Sequence, residues 1–91
     1  MNEAGWRSFL NLCLVANDAK ILSALFDLFL TSEEKESLAL RYLIVEELLK
    51  QKKTQRSMAK DLQVSIAKIT RGSNELKRIS PMLIQFLHKN L

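Results

Sequence analysis

The stretch from Thr54 to Asn74 constrains this chain more than any other. It reads as two short helices joined by a tight turn. Thr54 and Ser65 stand where N-caps belong, with side-chain oxygens able to accept from the first-turn backbone N–H groups. Met58, Leu62, Val64, Ile66 and Ile69 fall at spacings that turn them toward the facing helix, and Ala59 leaves room for a close approach. Gln55, Arg56, Lys60, Lys68, Thr70 and Arg71 remain for the outer face. An apolar hinge inside and cations outside is the arrangement of a helix-turn-helix, with a segment of about 54–78 available for the motif.

The charge distribution agrees. Residues 1–50 hold five Lys/Arg against eight Asp/Glu, a balance of −3, whereas residues 51–91 hold nine against two, a balance of +7. The positive charge lies in the half that carries the motif, as a nucleic-acid footprint requires.

The rest of the chain reads as helical. It has one Pro and two Gly, and β-branched residues do not alternate with polar ones. Trp6, Phe9, Leu10, Cys13 and Leu14 predict a first helix from about residue 3 to 16, and Asn17-Asp18 a turn. Ile21, Leu22, Leu25, Phe26, Leu28 and Phe29 predict a short, very apolar second helix. Thr31-Ser32-Glu33-Glu34 is a capping box that opens a long third helix reaching about Lys50. Between Leu38 and Val45 that helix is apolar almost all round, the pattern of a helix covered on several sides. Ser80-Pro81 opens the last helix, with Ser as N-cap and Pro at the first helical position. The expectation is one all-α domain of six helices over residues 1–91. With 47% apolar residues in so short a chain, a homodimer with a large apolar interface is expected.

Other classes find little support. Cys13 is the lone cysteine, so no intramolecular disulfide forms, and it is expected as a small core residue. Met1-Asn2-Glu3-Ala4-Gly5 lacks the basic start of an export signal, and no apolar run has the length of a membrane span, so a cytoplasmic protein is expected. His88 is the single histidine and has no cysteine or acidic cluster at metal-ligand spacing. No nucleophile elbow or phosphate-binding glycine loop is present, so neither a metal nor an enzymatic activity is expected.

The chain resembles the tryptophan repressor family from about Leu28 to Lys77, and more weakly to its C-terminus. The resemblance rests on Leu28–Thr31, Arg41, Ile44-Val45-Glu46-Glu47-Leu48-Leu49, Gln55-Arg56, Ile66-Ala67, Ile69-Thr70-Arg71-Gly72-Ser73-Asn74 and Leu76-Lys77, in that order and spacing. It implies an intertwined all-α homodimer. It also implies a tryptophan-dependent transcriptional repressor, with L-tryptophan as corepressor and a two-half-site operator in double-stranded DNA as target. In such a protein Arg41 and Arg71 flank the indole ring, Arg71 meets the carboxylate, and Leu28, Leu30 and Thr31 complete the pocket.

The residues themselves leave alternatives open. Arg41 stands in an apolar segment, where an unpaired charge is costly; it either serves a ligand or snorkels outward and pairs with an acid such as Glu46. A glycine inside a helix costs about 1 kcal/mol relative to alanine, so Gly72 either admits a flat ligand against the backbone or ends its helix. Gln55, Thr70 and Lys60 are phosphate-contact candidates, and Lys77 joins the DNA-binding set. Arg56, Ile66, Ala67 and Lys68 are candidates for base edges, since arginine suits guanine and short apolar groups suit a thymine methyl.

Three positions depart from the family. Glu75 replaces a serine that meets the ligand's amino group; a carboxylate can accept from an ammonium, or turn to Lys77 or Arg78. Lys68 replaces a smaller residue near ligand and DNA. Gln63 occupies a turn position where glycine is common. These departures keep two alternatives in view: a helix-turn-helix regulator answering to another indole compound or to no ligand, and a helical dimeric protein-interaction adaptor.

Overall fold

The computed structural model describes all residues from Met1 to Leu91 and contains six α-helices and no strand. They are α1 (Glu3–Val15), α2 (Ala19–Phe29), α3 (Ser32–Lys50), α4 (Gln55–Leu62), α5 (Ile66–Leu76) and α6 (Pro81–Asn90). The all-α expectation of six helices holds.

The helix starts follow local chemistry. Asp18 accepts from the Ile21 N–H at 2.8 Å and begins α2. Thr31 and Glu34 form the capping box reciprocally: the Glu34 N–H donates to the Thr31 hydroxyl at 3.1 Å, and the Thr31 N–H to the Glu34 carboxylate at 2.8 Å. Thr54, Ser65 and Ser80 cap α4, α5 and α6, accepting from Ser57, Lys68 and Leu83 at 3.1, 3.3 and 3.2 Å. Each such cap contributes about 1 kcal/mol.

The chain divides into two compact units, Met1–Glu36 and Ser37–Leu91. Within the first, Phe9 of α1 meets Phe26 and Phe29 of α2, with ring centroids 6.2 and 5.5 Å apart, and the Phe29 contact is edge-on. Trp6 stacks on Phe9 at 5.8 Å. No residue of this unit is fully buried, and Cys13 is half-buried rather than a core residue. Asp27 forms an ion pair with Lys35.

The second unit holds the buried core: Ile44 of α3, Met58 and Ala59 of α4, and Ile69 of α5, with Leu40, Leu48, Leu62 and Val64 against them. The expectation that α3 is covered on several sides is met at Ile44 alone. Leu38, Tyr42 and Leu43 are 50%, 49% and 41% exposed.

Candidate functional site

Ala59 and Ile69 bring α4 and α5 together, and the turn between them is built from backbone. The Val64 N–H donates to the Ala59 carbonyl at 3.0 Å, and the Gln63 N–H to the Lys60 carbonyl at 3.3 Å. This is a Schellman closure, which satisfies the last carbonyls of α4 and sets Val64 against Ala59. It requires a left-handed residue at its centre, and Gln63 takes that conformation with φ 57° and ψ 45°. The departure from glycine noted in the sequence therefore falls on a strained position.

Arg56 and Lys60 of α4, and Ala67, Lys68 and Thr70 of α5, are exposed. Ile66, read in the sequence both as an inter-helix contact and as a base-edge candidate, is 45% exposed and outside the core. It is the first residue of α5. The Thr70 hydroxyl donates to the Gln55 side-chain oxygen at 3.0 Å and ties the two helices on their outer side.

Arg56, Lys60, Lys68 and Lys77 form no ion pair within the chain, so their charge is uncompensated at short range. Lys53 is spoken for: it reaches Asp61 at 2.8 Å and Glu47 at 3.7 Å, and Glu47 also receives Lys50 at 3.7 Å. This network ties the end of α3 to α4. The Asp61 hydrogen bond raises the Lys53 ammonium above its usual 10.5. Beside it, Tyr42 donates to Glu46 at 3.1 Å, and that bond raises the phenol above 10.0.

A pocket of about 540 Å³ opens between α3, α5 and α6, within the size range of small-molecule sites. Leu40, Ile44, Val45, Leu76, Ile79, Leu83 and Leu87 give it apolar walls. Its charged groups are Arg41, Lys68, Arg71 and Glu75. Four of the ligand-site candidates, Arg41, Arg71, Gly72 and Glu75, meet here. Leu28, Leu30 and Thr31 are not among its lining; they belong to the Met1–Glu36 unit, where Leu28 is exposed and Thr31 caps α3. Arg41 is exposed and does not pair with Glu46, which is held by Tyr42 and Lys50. Glu75 takes the second course open to it and meets Arg78 at 3.4 Å.

Gly72 lies in mid-helix, so the reading of it as a helix end does not hold. A Cβ there would lie 2.9 Å from Ile44 Cγ2 and 3.4 Å from Leu48 Cδ1. Close approach of α5 to α3 is thus a reason for glycine that the sequence reading did not contain. The contribution of α6 was also missed. Leu83 and Leu87 stand four residues apart, at helical spacing, but nothing in the sequence said that they line a pocket.

The family described as "Trp repressor protein" matches residues 4–91 of this chain. The chain belongs to the Trp repressor family. It is similar to the Trp operon repressor homolog of Chlamydia caviae, at 51% identity over 99% of this chain and 88% of that protein. The homolog from Chlamydia trachomatis serovar D is 46% identical over 98% of this chain and 95% of the relative. That of Haemophilus influenzae strain PittEE is 33% identical over 99% and 89%. The family is one of transcription regulators, which bears out the reading that the chain is not an enzyme. No helix is long and apolar enough to cross a membrane.

Proposed function

We propose that this Trp repressor-family protein represses tryptophan-related genes by binding operator DNA through α4 and α5, with L-tryptophan as corepressor in the pocket. The observation that carries this reading is the double duty of α5. Ala67 and Thr70 stand exposed on its outer side, while Lys68, Arg71, Gly72 and Glu75 line the pocket. A ligand seated there touches the helix that would enter the major groove, so occupancy biases the angle of that helix, and DNA affinity and ligand affinity must rise together.

In this reading the apolar walls take the indole. Arg41 and Arg71 offer guanidinium planes to its faces, an attraction strengthened by stacking and cation–π effects, and Arg71 takes the carboxylate. The share of Leu28, Leu30 and Thr31 rests on the resemblance alone. Gln55, Lys60, Thr70 and Lys77 serve phosphates; Arg56, Ile66, Ala67 and Lys68 serve base edges. The uncovered faces of α3 and of the aromatic N-terminal unit support a homodimer, which would present two motifs to two half-sites of a double-stranded operator. The chain functions as one DNA-binding domain in the cytoplasm and needs no metal.

The test is a titration of a tryptophan-operon operator with and without L-tryptophan. Tighter binding with tryptophan is expected, and Arg71→Ala should abolish that gain. Operator binding indifferent to tryptophan would leave the DNA reading in place and assign the pocket to another effector.

A further inference from the structure

We propose that Lys53 is a positioning residue for DNA binding: by bridging Glu47 of α3 and Asp61 of α4, it holds the motif at a DNA-competent angle before any effector binds. The inference rests on the DNA-binding reading and adds a control on the ligand-free state.

The bridge spans a hinge. Helix α3 ends at Lys50, and Gln51 follows in the left-handed region with φ 53°. A change in the angle of α4 on α3 is absorbed in this short link, as hinges ordinarily are. Lys53 lies within the link, and its two acids lie on either side of it. Glu47 precedes the link and meets the ammonium at 3.7 Å; Asp61 follows it and meets the ammonium at 2.8 Å. One side chain therefore straps the two helices together across the segment that would bend.

Apolar packing alone sets that angle loosely. Ile44 of α3 meets the motif through Met58, Ala59 and Ile69, and these four are the fully buried side chains. Hydrophobic contact is non-directional, so a core this small resists separation better than rotation. A charge-assisted hydrogen bond has a direction, and this one acts at the surface, with Lys53 39% and Asp61 48% exposed.

Local helix chemistry gives no reason for an acid at position 61. Asp61 is the penultimate residue of α4, where the partial negative charge of the helix end disfavours a carboxylate. It also subtracts charge from a helix whose other ionic side chains, Arg56 and Lys60, are unpaired cations. Its partner across the hinge supplies the reason. An exposed pair shifts an equilibrium by about fivefold at most, which makes the strap a bias on the motif. Apparent affinity falls with the fraction of molecules in the competent state. Opening the strap therefore weakens the ligand-free protein, while a bound effector, acting on the motif through α5, hides most of the loss.

Titration of a tryptophan-operon operator with the full chain, with and without saturating L-tryptophan, tests the assignment. Without tryptophan, Asp61→Asn and Lys53→Met should each weaken binding by about three- to fivefold. The double variant should lose no more than either single one, and Lys53→Arg, which keeps the bridging charge, should bind as the unmodified protein does. With tryptophan, every variant should come within about twofold of the unmodified protein. Far-UV circular dichroism checks that each variant is helical at the assay temperature. The sign at Asp61 is decisive, because removing a negative charge from α4 would tighten binding to a polyanion if charge alone mattered. Unchanged or tighter ligand-free binding by Asp61→Asn overturns the inference. So does a double variant whose loss is the product of the two single losses, or a loss at Lys53 alone, which would mark a direct phosphate contact. In a protein that responds to tryptophan, a loss of equal size with and without it overturns the inference too, as does an unmodified protein that binds the operator only with tryptophan. If tryptophan has no effect on the unmodified protein, the corepressor reading fails and the ligand-free comparison alone decides. If the unmodified protein binds no operator in either condition, the DNA-binding reading fails, and this inference with it.

Discussion

A methyl group placed on Gly72 would lie 2.9 Å from Cγ2 of Ile44, a side chain only 4% exposed. That carbon sits on a β-branched centre and cannot swing aside. Alanine at 72 gains about 1 kcal/mol of helix propensity, but overpacking costs about 1–3 kcal/mol. Gly72→Ala should therefore be destabilising by about 1 kcal/mol in urea unfolding. Combined with Ile44→Ala, which opens the space, the same change should become neutral or favourable. An additive double-mutant cycle would show that the two positions do not meet.

Gln63 pays for the turn with its backbone. Left-handed geometry costs a residue with a side chain about 1–2 kcal/mol, part of which glycine returns through its freer unfolded state. Gln63→Gly should raise the unfolding free energy by up to about 1 kcal/mol, and Gln63→Val should lower it. The order Gly, Gln, Val in stability is the expected readout; any other order would mean that the turn relaxes out of the left-handed region.

Acid sensitivity is built into the start of α3. The hydrogen bond from the Thr31 backbone N–H, helped by the Thr31 hydroxyl, holds the Glu34 carboxyl below its usual 4.5. A carboxylate lowered on folding stabilises the native state above pH 4.5, and that contribution is lost as pH falls through the folded value. Glu34→Gln should flatten the decline of melting temperature below pH 4.5. An unchanged acid limb would locate the sensitivity elsewhere.

On DNA, Lys60→Ala and Arg56→Ala should fail in different ways. Loss of a phosphate contact weakens binding to all sequences and reduces the slope of log affinity against log salt by about 0.9. Loss of an arginine–guanine contact costs about 1–3 kcal/mol on the operator and little on random DNA. Competition assays at several salt concentrations separate the two, and identical behaviour of both variants would refute their division between phosphate and base.

The parts of this fold that were legible in the sequence are the local ones. Thr31 with Glu34, Thr54, Ser65 and Ser80-Pro81 declare helix starts because a cap satisfies groups within four residues of itself. Ala59 and Ile69 announce the motif by size and spacing. The reason for Gly72 was not legible, because Ile44 is 28 positions away and only the crossing of α3 and α5 brings the two together. Ile66 was read both as an inter-helix contact and as a base-edge candidate, and periodicity alone could not choose between the two; its 45% exposure favours the second. In the pocket, Arg41 and Gly72 stood out as a charge in an apolar segment and a glycine within a helix, the resemblance supplied the roles of Arg41 and Arg71, and the departure at Glu75 was visible against it. Ile79, Leu83 and Leu87 were absent from that set, since apolar residues on a short helix carry no mark of what they enclose.

The hydrogen bond from Thr70 to Gln55 bears on how this protein can grip a polyanion. A phosphate accepts hydrogen bonds and offers none. While the Thr70 hydroxyl directs its only proton to Gln55, it has nothing to give such an oxygen. The Gln55 amide, receiving through its carbonyl, keeps both N–H hydrogens. Of the two side chains, Gln55 alone can clasp a DNA strand without first letting go of its neighbouring helix.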